Sequence, residues 1–111
     1  MANELFNKDN TELDGNDESI SVTTSSTLDG DETLLHYYNS TNVSVSVTIS
    51  GSRGGDDTFA EGVELNTESL SSGGTAGYFV VDEPWDKVEV LLSPGSNPSS
   101  GSISVHKMVG N

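Results

Sequence analysis

Residues 43–50 decide the fold class, and they run Val43-Ser44-Val45-Ser46-Val47-Thr48-Ile49-Ser50. Every second side chain is a branched apolar one, and every side chain between these carries a hydroxyl group. Successive side chains of a β-strand point to opposite faces of the sheet, so this alternation predicts a strand with one buried face and one polar face. Such half-buried strands are typical of antiparallel sheets. We therefore expect the four apolar side chains in the core and the hydroxyl side chains outside it.

Shorter runs with the same period of two occur along the rest of the chain, and no run has the period of a helix. Turn-forming residues separate them, such as Asp29-Gly30, Gly73-Gly74 and the Pro- and Gly-containing stretch 93–101. About seven short strands separated by turns predict an all-β fold, a single antiparallel β-sandwich of the jelly-roll or immunoglobulin-like kind. The further strands are expected at 19–27, 33–39, near 63–65, and at 75–82, 87–93 and 102–109.

Residues 1–18 lack this alternation and are polar and acidic. We therefore interpret them as an extended N-terminal arm that precedes a β-sandwich domain of residues 19–111. Ordering such an arm costs roughly 1–2 kcal/mol per residue in backbone entropy. Leu5, Phe6 and Leu13 offer little apolar surface to compensate within one chain, so we expect these three side chains to contact a partner chain.

The composition is strongly acidic, with 18 Asp and Glu against 4 Lys and Arg and a formal net charge of −14 over 111 residues. Self-repulsion of this size opposes a compact state, but at molar salt the Debye length falls to about 3 Å and screens it. We therefore expect a single domain adapted to high salt. The few scattered basic residues argue against nucleic-acid binding, and the same charge disfavours an anionic membrane surface. No apolar segment has the length of a signal peptide or a membrane span.

No catalytic constellation is evident in the sequence. The chain has no cysteine, no phosphate-binding loop and no nucleophile elbow, and His36 and His106 fall in different expected strands. Acidic clusters at 14–18, 29–32, 56–57 and 82–83 offer oxygen ligands of the kind that calcium prefers, but none has EF-hand spacing. We expect these clusters to be solvated turns, and we expect no enzyme activity, no cofactor and no metal site.

Trp85 is the only tryptophan, and it follows Tyr78 and Phe79 closely in the chain. Aromatic rings at the rim of a sandwich stack on sugars, which leaves a glycan-binding module as one interpretation. The other interpretation is that Trp85 fills the end of a small core. Asn39-Ser40-Thr41 and Asn42-Val43-Ser44 are overlapping acceptor sequences for N-glycosylation.

The composition resembles that of proteins from extremely halophilic archaea and their viruses. The segment Gly77-Tyr78-Phe79-Val80-Val81-Asp82-Glu83-Pro84-Trp85-Asp86-Lys87-Val88-Glu89-Val90, with Gly101-Ser102-Ile103-Ser104-Val105 after it, is similar to small β-sandwich virion proteins of tailed viruses. This resemblance implies a capsid decoration, turret or tail-associated protein of a haloarchaeal tailed virus. Such a protein is made in the host cytoplasm and resides in the virion.

Two functions therefore follow from the sequence. The first is a non-enzymatic structural virion subunit that assembles with copies of itself and with a larger virion protein. The second is a glycan- or receptor-binding β-sandwich module. The side chains that we expect to contact a partner are Leu5, Phe6, Leu13 and Trp85.

Overall fold

Eight β-strands and no helix make up the part of the chain that the computed structural model describes, which is residues 2–23, 32–52, 62–82, 85 and 87–110. None of these residues forms a helix long and apolar enough to span a membrane. A strand is present at each place predicted from alternation, although residues 24–27 of the strand predicted at 19–27 lie outside the described residues, and an eighth strand precedes them. The strands are β1 (Ala2–Asp9), β2 (Glu18–Thr23), β3 (Glu32–Asn39), β4 (Val45–Ser52), β5 (Val63–Leu70), β6 (Thr75–Val81), β7 (Lys87–Pro94) and β8 (Ser102–Gly110).

The strands form two four-stranded antiparallel sheets. Sheet A has the order β1-β8-β3-β6, and sheet B has the order β2-β7-β4-β5. Successive pairs of strands thus alternate between the two sheets, as when one long hairpin is rolled into two layers. The pairs are β1 with β8, β2 with β7, β3 with β6 and β4 with β5. This is the order of a jelly roll. The expected β-sandwich is confirmed, and its topology is the jelly roll rather than the immunoglobulin-like arrangement.

The segment that predicts the fold behaves as expected, with one difference. Val45, Val47 and Ile49 are fully buried between the sheets, and Ser46 on the opposite face is exposed. Val43 instead precedes β4 and packs against the core from a half-buried position. The pairing with β7 begins only at Val45, so the alternation starts earlier in the sequence than the hydrogen-bonded ladder does.

The N-terminal segment differs from the expected arm, because β1 is part of sheet A. It pairs with β8 from Ala2 to Asp9, and Leu13, which follows it, is only 4% exposed in the core of its own domain. A β-bulge between Glu4 and Phe6 shifts the register of this pairing. A bulge also shifts the phase of the side-chain alternation, so the strand has no continuous period of two in the sequence.

Lys8 is a second reason why the sequence of β1 does not show the pattern of a half-buried strand. It pairs with Ile103, which is fully buried, so its side chain leaves the strand on the inner face of sheet A. Its ammonium group then reaches the Glu18 carboxylate on β2 over 3.1 Å and lies 5.6 Å from the centre of the Phe6 ring. The aliphatic stem thus covers the seam between the two sheets while the charge remains partly in solvent.

Asn39 at the end of β3 holds the β3–β4 connection in place. Its side chain is fully buried, and its amide nitrogen lies within 2.9–3.2 Å of the carbonyl oxygens of Val43, Leu70 and Ser71. Its amide oxygen accepts hydrogen bonds from the backbone N–H and the hydroxyl of Thr41, at 3.0 and 2.6 Å. One amide therefore joins the β3–β4 connection to the end of β5 through hydrogen bonds that are wholly or partly buried.

Asn39→Ala is expected to destabilise the domain by about 2–5 kcal/mol, because each buried group left without a partner costs about 1–3 kcal/mol. The matched control is Asn42→Ala, since Asn42 is exposed and bonds only to Ser99. That change should cost less than about 1 kcal/mol. Urea unfolding followed by circular dichroism at constant salt measures both, and equal midpoints for the two variants would show that Asn39 is not the structural hub described.

Candidate functional site

The outer face of sheet A is the candidate site. On β3 the odd-numbered side chains from 33 to 39 are buried, so Leu34, His36 and Tyr38 face outward. The register extends this pattern to the neighbouring strands, because directly opposed residues share a face. The outer face comprises Glu4 and Asn7 on β1, Leu34, His36 and Tyr38 on β3, Ala76, Tyr78 and Val80 on β6, and Ser104, His106 and Met108 on β8.

Two tyrosines give this face its main accessible apolar surface. Tyr78 is 65% exposed and Tyr38 is 38% exposed. His36 lies directly opposite Tyr78 in the β3–β6 ladder, and Tyr38 lies opposite Ala76. The tyrosines are therefore diagonal neighbours on adjacent strands, about 7–8 Å apart, so one flat ligand surface can contact both rings. Met108, at 36% exposure, adds an apolar side chain on β8.

A row of polar side chains crosses three strands of sheet A, β1, β8 and β3, and ends at Tyr78 on β6. His106 on β8 is directly opposite His36 on β3, and its Nε2 lies 3.8 Å from a carboxylate oxygen of Glu4 on β1. Each imidazole has two ring nitrogens that donate or accept hydrogen bonds depending on protonation. His106 faces outward, because Ile103 and Val105 on the alternate positions of β8 are buried. Its pairing with His36 depends on the register of distant strands, which the sequence pattern does not reveal.

The outer face of sheet B is different in chemistry. Its described side chains are mainly serine and threonine hydroxyls that bond to one another or to neighbouring carboxylates. The hydroxyls of Thr48 and Thr67 are 3.2 Å apart, and Ser19 donates to Glu89 over 2.7 Å. The exposed tyrosines of the described residues therefore belong to sheet A, so the two faces of the sandwich are not equivalent.

Three of the four side chains expected to contact a partner belong to the N-terminal segment, and the structure uses them within the domain. Leu13 lies in the core and is not available to a partner. Leu5 and Phe6 are half-buried and pack against the same core, with Phe6 opposite Val105. None of these three lies on the aromatic outer face of sheet A.

Trp85 packs against the end of the core, as the second of its two interpretations expects. Its indole ring lies directly over Gly51 on β4, where an added Cβ atom would come within 2.5 Å of the ring. The ring is half-buried, so part of it remains accessible. Trp85 and the two exposed tyrosines therefore do not share one surface.

The described acidic turns use their carboxylates locally. The backbone and side-chain N–H groups of Asn16 donate to Asp14 over 3.0 and 3.1 Å, and these bonds lower the pKa of the Asp14 carboxyl. Asp9 accepts from the hydroxyl and the backbone N–H of Thr11, which lowers its pKa in the same way. Within the described residues no three His, Asp or Glu side chains are grouped as a metal site requires. The acidic residues at 29–31, 56–57 and 83 lie outside the described residues.

The two glycosylation acceptor sequences differ in accessibility. Asn39 is fully buried and its amide nitrogen is in use, so the folded chain has no space for a sugar there. Asn42 is exposed, although its amide nitrogen donates to the hydroxyl of Ser99 over 2.9 Å. Of the two acceptors, only Asn42 is compatible with modification of the folded domain.

No protein-family model matches the chain, and no curated protein matches its sequence. Its fold is similar to that of the PBSX exported protein XepA, with a TM-score of 0.68 and 14% identity over 99% of this chain and 37% of XepA. It is also similar to the K1 cleaved adhesin domain of Lys-gingipain from Porphyromonas gingivalis W83, with a TM-score of 0.57 and 15% identity over 95% of this chain and 73% of that domain. A family 29 carbohydrate-binding module from Piromyces equi has a TM-score of 0.51 and 15% identity, over 96% of this chain and 89% of the module. At these identities the likeness concerns the fold alone, and the chain spans little more than a third of XepA.

Proposed function

We propose that this chain is a non-enzymatic structural subunit of a virion, and that it docks on a larger virion protein through the outer face of sheet A. The observation that carries the proposal is that three of the four exposed large apolar side chains among the described residues, Tyr78, Tyr38 and Met108, lie together on one face. The fourth, Val63, lies at the start of β5 in sheet B. Exposed aromatic and apolar side chains grouped on one surface mark contact sites in soluble proteins. The likeness in fold to an exported protein and to an adhesin domain agrees with a subunit that acts outside a cell.

Apolar neighbours of the tyrosines favour a protein as the partner. Leu34 on β3 lies directly opposite both Val80 on β6 and Met108 on β8. These three side chains form an aliphatic row across the face, next to the row that contains Tyr78 and His36. A protein surface can bury the accessible part of such a row, and the gain per side chain is then a fraction of the roughly 1.5–3 kcal/mol that a fully exposed side chain contributes.

Glycan binding is the second candidate, and the side-by-side tyrosines favour it. Aromatic rings at this spacing provide stacking surfaces, and His36 and Asn7 supply hydrogen-bonding groups on the same face. The likeness in fold to a carbohydrate-binding module supports this alternative.

The proposed docking predicts that Met108→Asp weakens binding to virus particles that lack this chain by about 10- to 100-fold, because a carboxylate buried in the contact without a partner costs about 1–3 kcal/mol or more. Recombinant protein is titrated onto such particles at molar salt, and occupancy is measured by quantitative mass spectrometry. The control is Ser46→Asp, which adds the same charge at an exposed position on the outer face of sheet B. It should leave occupancy unchanged.

A glycan-binding module would give the opposite pattern. Binding to an immobilised neutral polysaccharide would be lost in Tyr38→Ala and retained in Met108→Asp, and particle occupancy would not depend on either change. Absence of the chain from purified particles, or equal occupancy for Met108→Asp and Ser46→Asp, would contradict the proposed docking.

A further inference from the structure

Four strands lie at the edges of the two sheets, and three of them carry features that hinder pairing with another chain. An edge strand presents unpaired backbone N–H and C=O groups, and charged side chains or bulges protect it from such pairing. β1 has the bulge after Glu4 and the inward Lys8. β2 is only six residues long and begins with Glu18, which is held by Lys8. β5 carries Glu64 and Glu68, and the carboxylate of Glu68 accepts a hydrogen bond from the core residue Tyr37.

The fourth edge strand, β6, has none of these features. Its sequence is Thr75-Ala76-Gly77-Tyr78-Phe79-Val80-Val81, without charge or proline. It pairs with β3 in one continuous register, without a bulge, over its whole length. Among the described residues no strand pairs with its other side. An apolar, regular and unpaired edge is a template for one more strand.

We propose that β6 pairs antiparallel with β6 of a second copy of this chain, about a twofold axis that passes through Tyr78. The two A sheets then form one eight-stranded sheet, and the seven residues of each β6 are all paired. This inference goes beyond the proposed function, because it uses the edge of sheet A and leaves the outer face of each copy open to a partner. The two proposals can fail independently.

Charge explains why a second copy fits at this edge. Two chains of net charge −14 repel each other, so they approach most easily along a strand that carries no charge of its own. The Glu68 carboxylate on β5, which lies beside β6, accepts a hydrogen bond from Tyr37. In the antiparallel pairing Asp82, just after β6, lies opposite Gly74 of the second copy. A parallel pairing would place the two copies of Asp82 side by side. The twofold arrangement therefore keeps the like charges at opposite ends of the new ladder.

The side chains of β6 also complement one another in this register. Gly77 lies opposite Phe79 of the second copy on the inner face, and Ala76 lies opposite the second copy's Val80 on the outer face. Gly77 has no room for a side chain, because an added Cβ atom would come within 2.6 Å of the Tyr37 ring. The Tyr37 ring and the Glu68 carboxylate of the same chain already cover this glycine, so the pairing places small residues, Gly77 and Ala76, opposite the larger Phe79 and Val80 of the second copy.

Disulfide cross-linking tests the register, because the natural chain has no cysteine. In Tyr78→Cys the two thiols face each other across the axis, with Cα atoms about 4.5–5.5 Å apart, within the range of disulfides. In Ala76→Cys the two thiols are four residues out of register, about 13 Å along the strands at 3.3 Å per residue, which is too far for a bond. We expect oxidation at molar salt to give covalent dimers for Tyr78→Cys and not for Ala76→Cys. Equal cross-linking of the two variants, or none in either, would overturn the proposal.

Sedimentation measures the association without a cross-link. At molar salt the natural chain should sediment as a dimer, and Ala76→Glu should raise the dimer dissociation constant at least about tenfold by placing a carboxylate against Val80 of the second copy. The control is Ser69→Glu, which adds the same charge at an exposed position on the edge strand β5 and should remain dimeric. Circular dichroism establishes that both variants are folded. A monomeric natural chain, or equal weakening by both changes, would contradict pairing at β6.

Discussion

Gly101→Ala should leave the domain unfolded, or less stable by more than about 4 kcal/mol. Single substitutions cost this much only when they cause a severe steric clash or leave a buried polar group without a partner. An added Cβ atom at Gly101 would lie 2.1 Å from the carbonyl oxygen of Ser40 and 2.7 Å from the Cα atom of Thr41. These are backbone atoms, and Ser40 is held by hydrogen bonds to Ser102, at 2.9 Å from its N–H and 3.0 Å to its hydroxyl. The backbone therefore cannot move away without breaking the contact between the β3–β4 connection and the start of β8.

Gly73→Ala is the matched control for this change. Gly73 has a φ of 88° and Gly101 a φ of 83°, so both variants bear the cost of a left-handed backbone. That cost is about 1–2 kcal/mol for a residue with a Cβ atom. Nothing lies within 4 Å of an added Cβ at Gly73, so no steric cost is added there. Urea unfolding at molar salt compares the two, and equal losses would show that the close approach to Ser40 is not a determinant of stability.

Lowering the sodium chloride concentration from molar to about 0.1 M is expected to reduce the melting temperature by about 10 °C or more. Two like charges 10 Å apart repel by about 0.4 kcal/mol in unscreened water. The Debye length grows from about 3 Å to about 10 Å over this change, so each such pair regains roughly 0.1 kcal/mol of repulsion. Summed over the many pairs among 18 Asp and Glu, this amounts to a few kcal/mol, each worth roughly 4–8 °C in a domain of this size.

Thermal unfolding followed by circular dichroism at the two salt concentrations, without divalent cations, measures this effect. A variant with fewer surface charges is the control, made by combining Glu12→Gln, Asp17→Asn, Glu64→Gln and Asp82→Asn at exposed positions. Its melting temperature should depend less on salt than that of the natural chain. If the natural chain melts at the same temperature in both buffers, its acidity is not an adaptation to high salt.

The β6 dimer should be even more sensitive to salt than the fold, because association adds the charge of a second chain. Electrostatic repulsion between the copies acts along the whole assembly, while the attractive contacts are confined to seven residues of each strand. Dissociation should therefore precede unfolding as the salt concentration falls. This order follows from the uncharged character of β6 within an acidic chain.

The position of most strands is a local property, and the sequence by itself determines it. In β4 the apolar side chains recur every second residue, and in β8 they do so at Ile103 and Val105, because each strand has one face in the core and one in solvent. β1 does not show this alternation. Its bulge interrupts the period of two, and Lys8 occupies an inward position while its ammonium group reaches Glu18. The acidity, and with it the expected dependence on salt, is likewise a property of the sequence alone.

Only the tertiary structure decides which strands become neighbours. The jelly-roll order, the opposition of His36 and His106, the shared face of Tyr38 and Tyr78 and the unpaired edge of β6 all depend on pairings between distant segments. Alternation shows which side of a strand is buried. It does not select the neighbouring strand, because several strands have the same pattern. Sheet order and register are set instead by the lengths of the connections and by the joint packing of both sheets, which no single segment encodes.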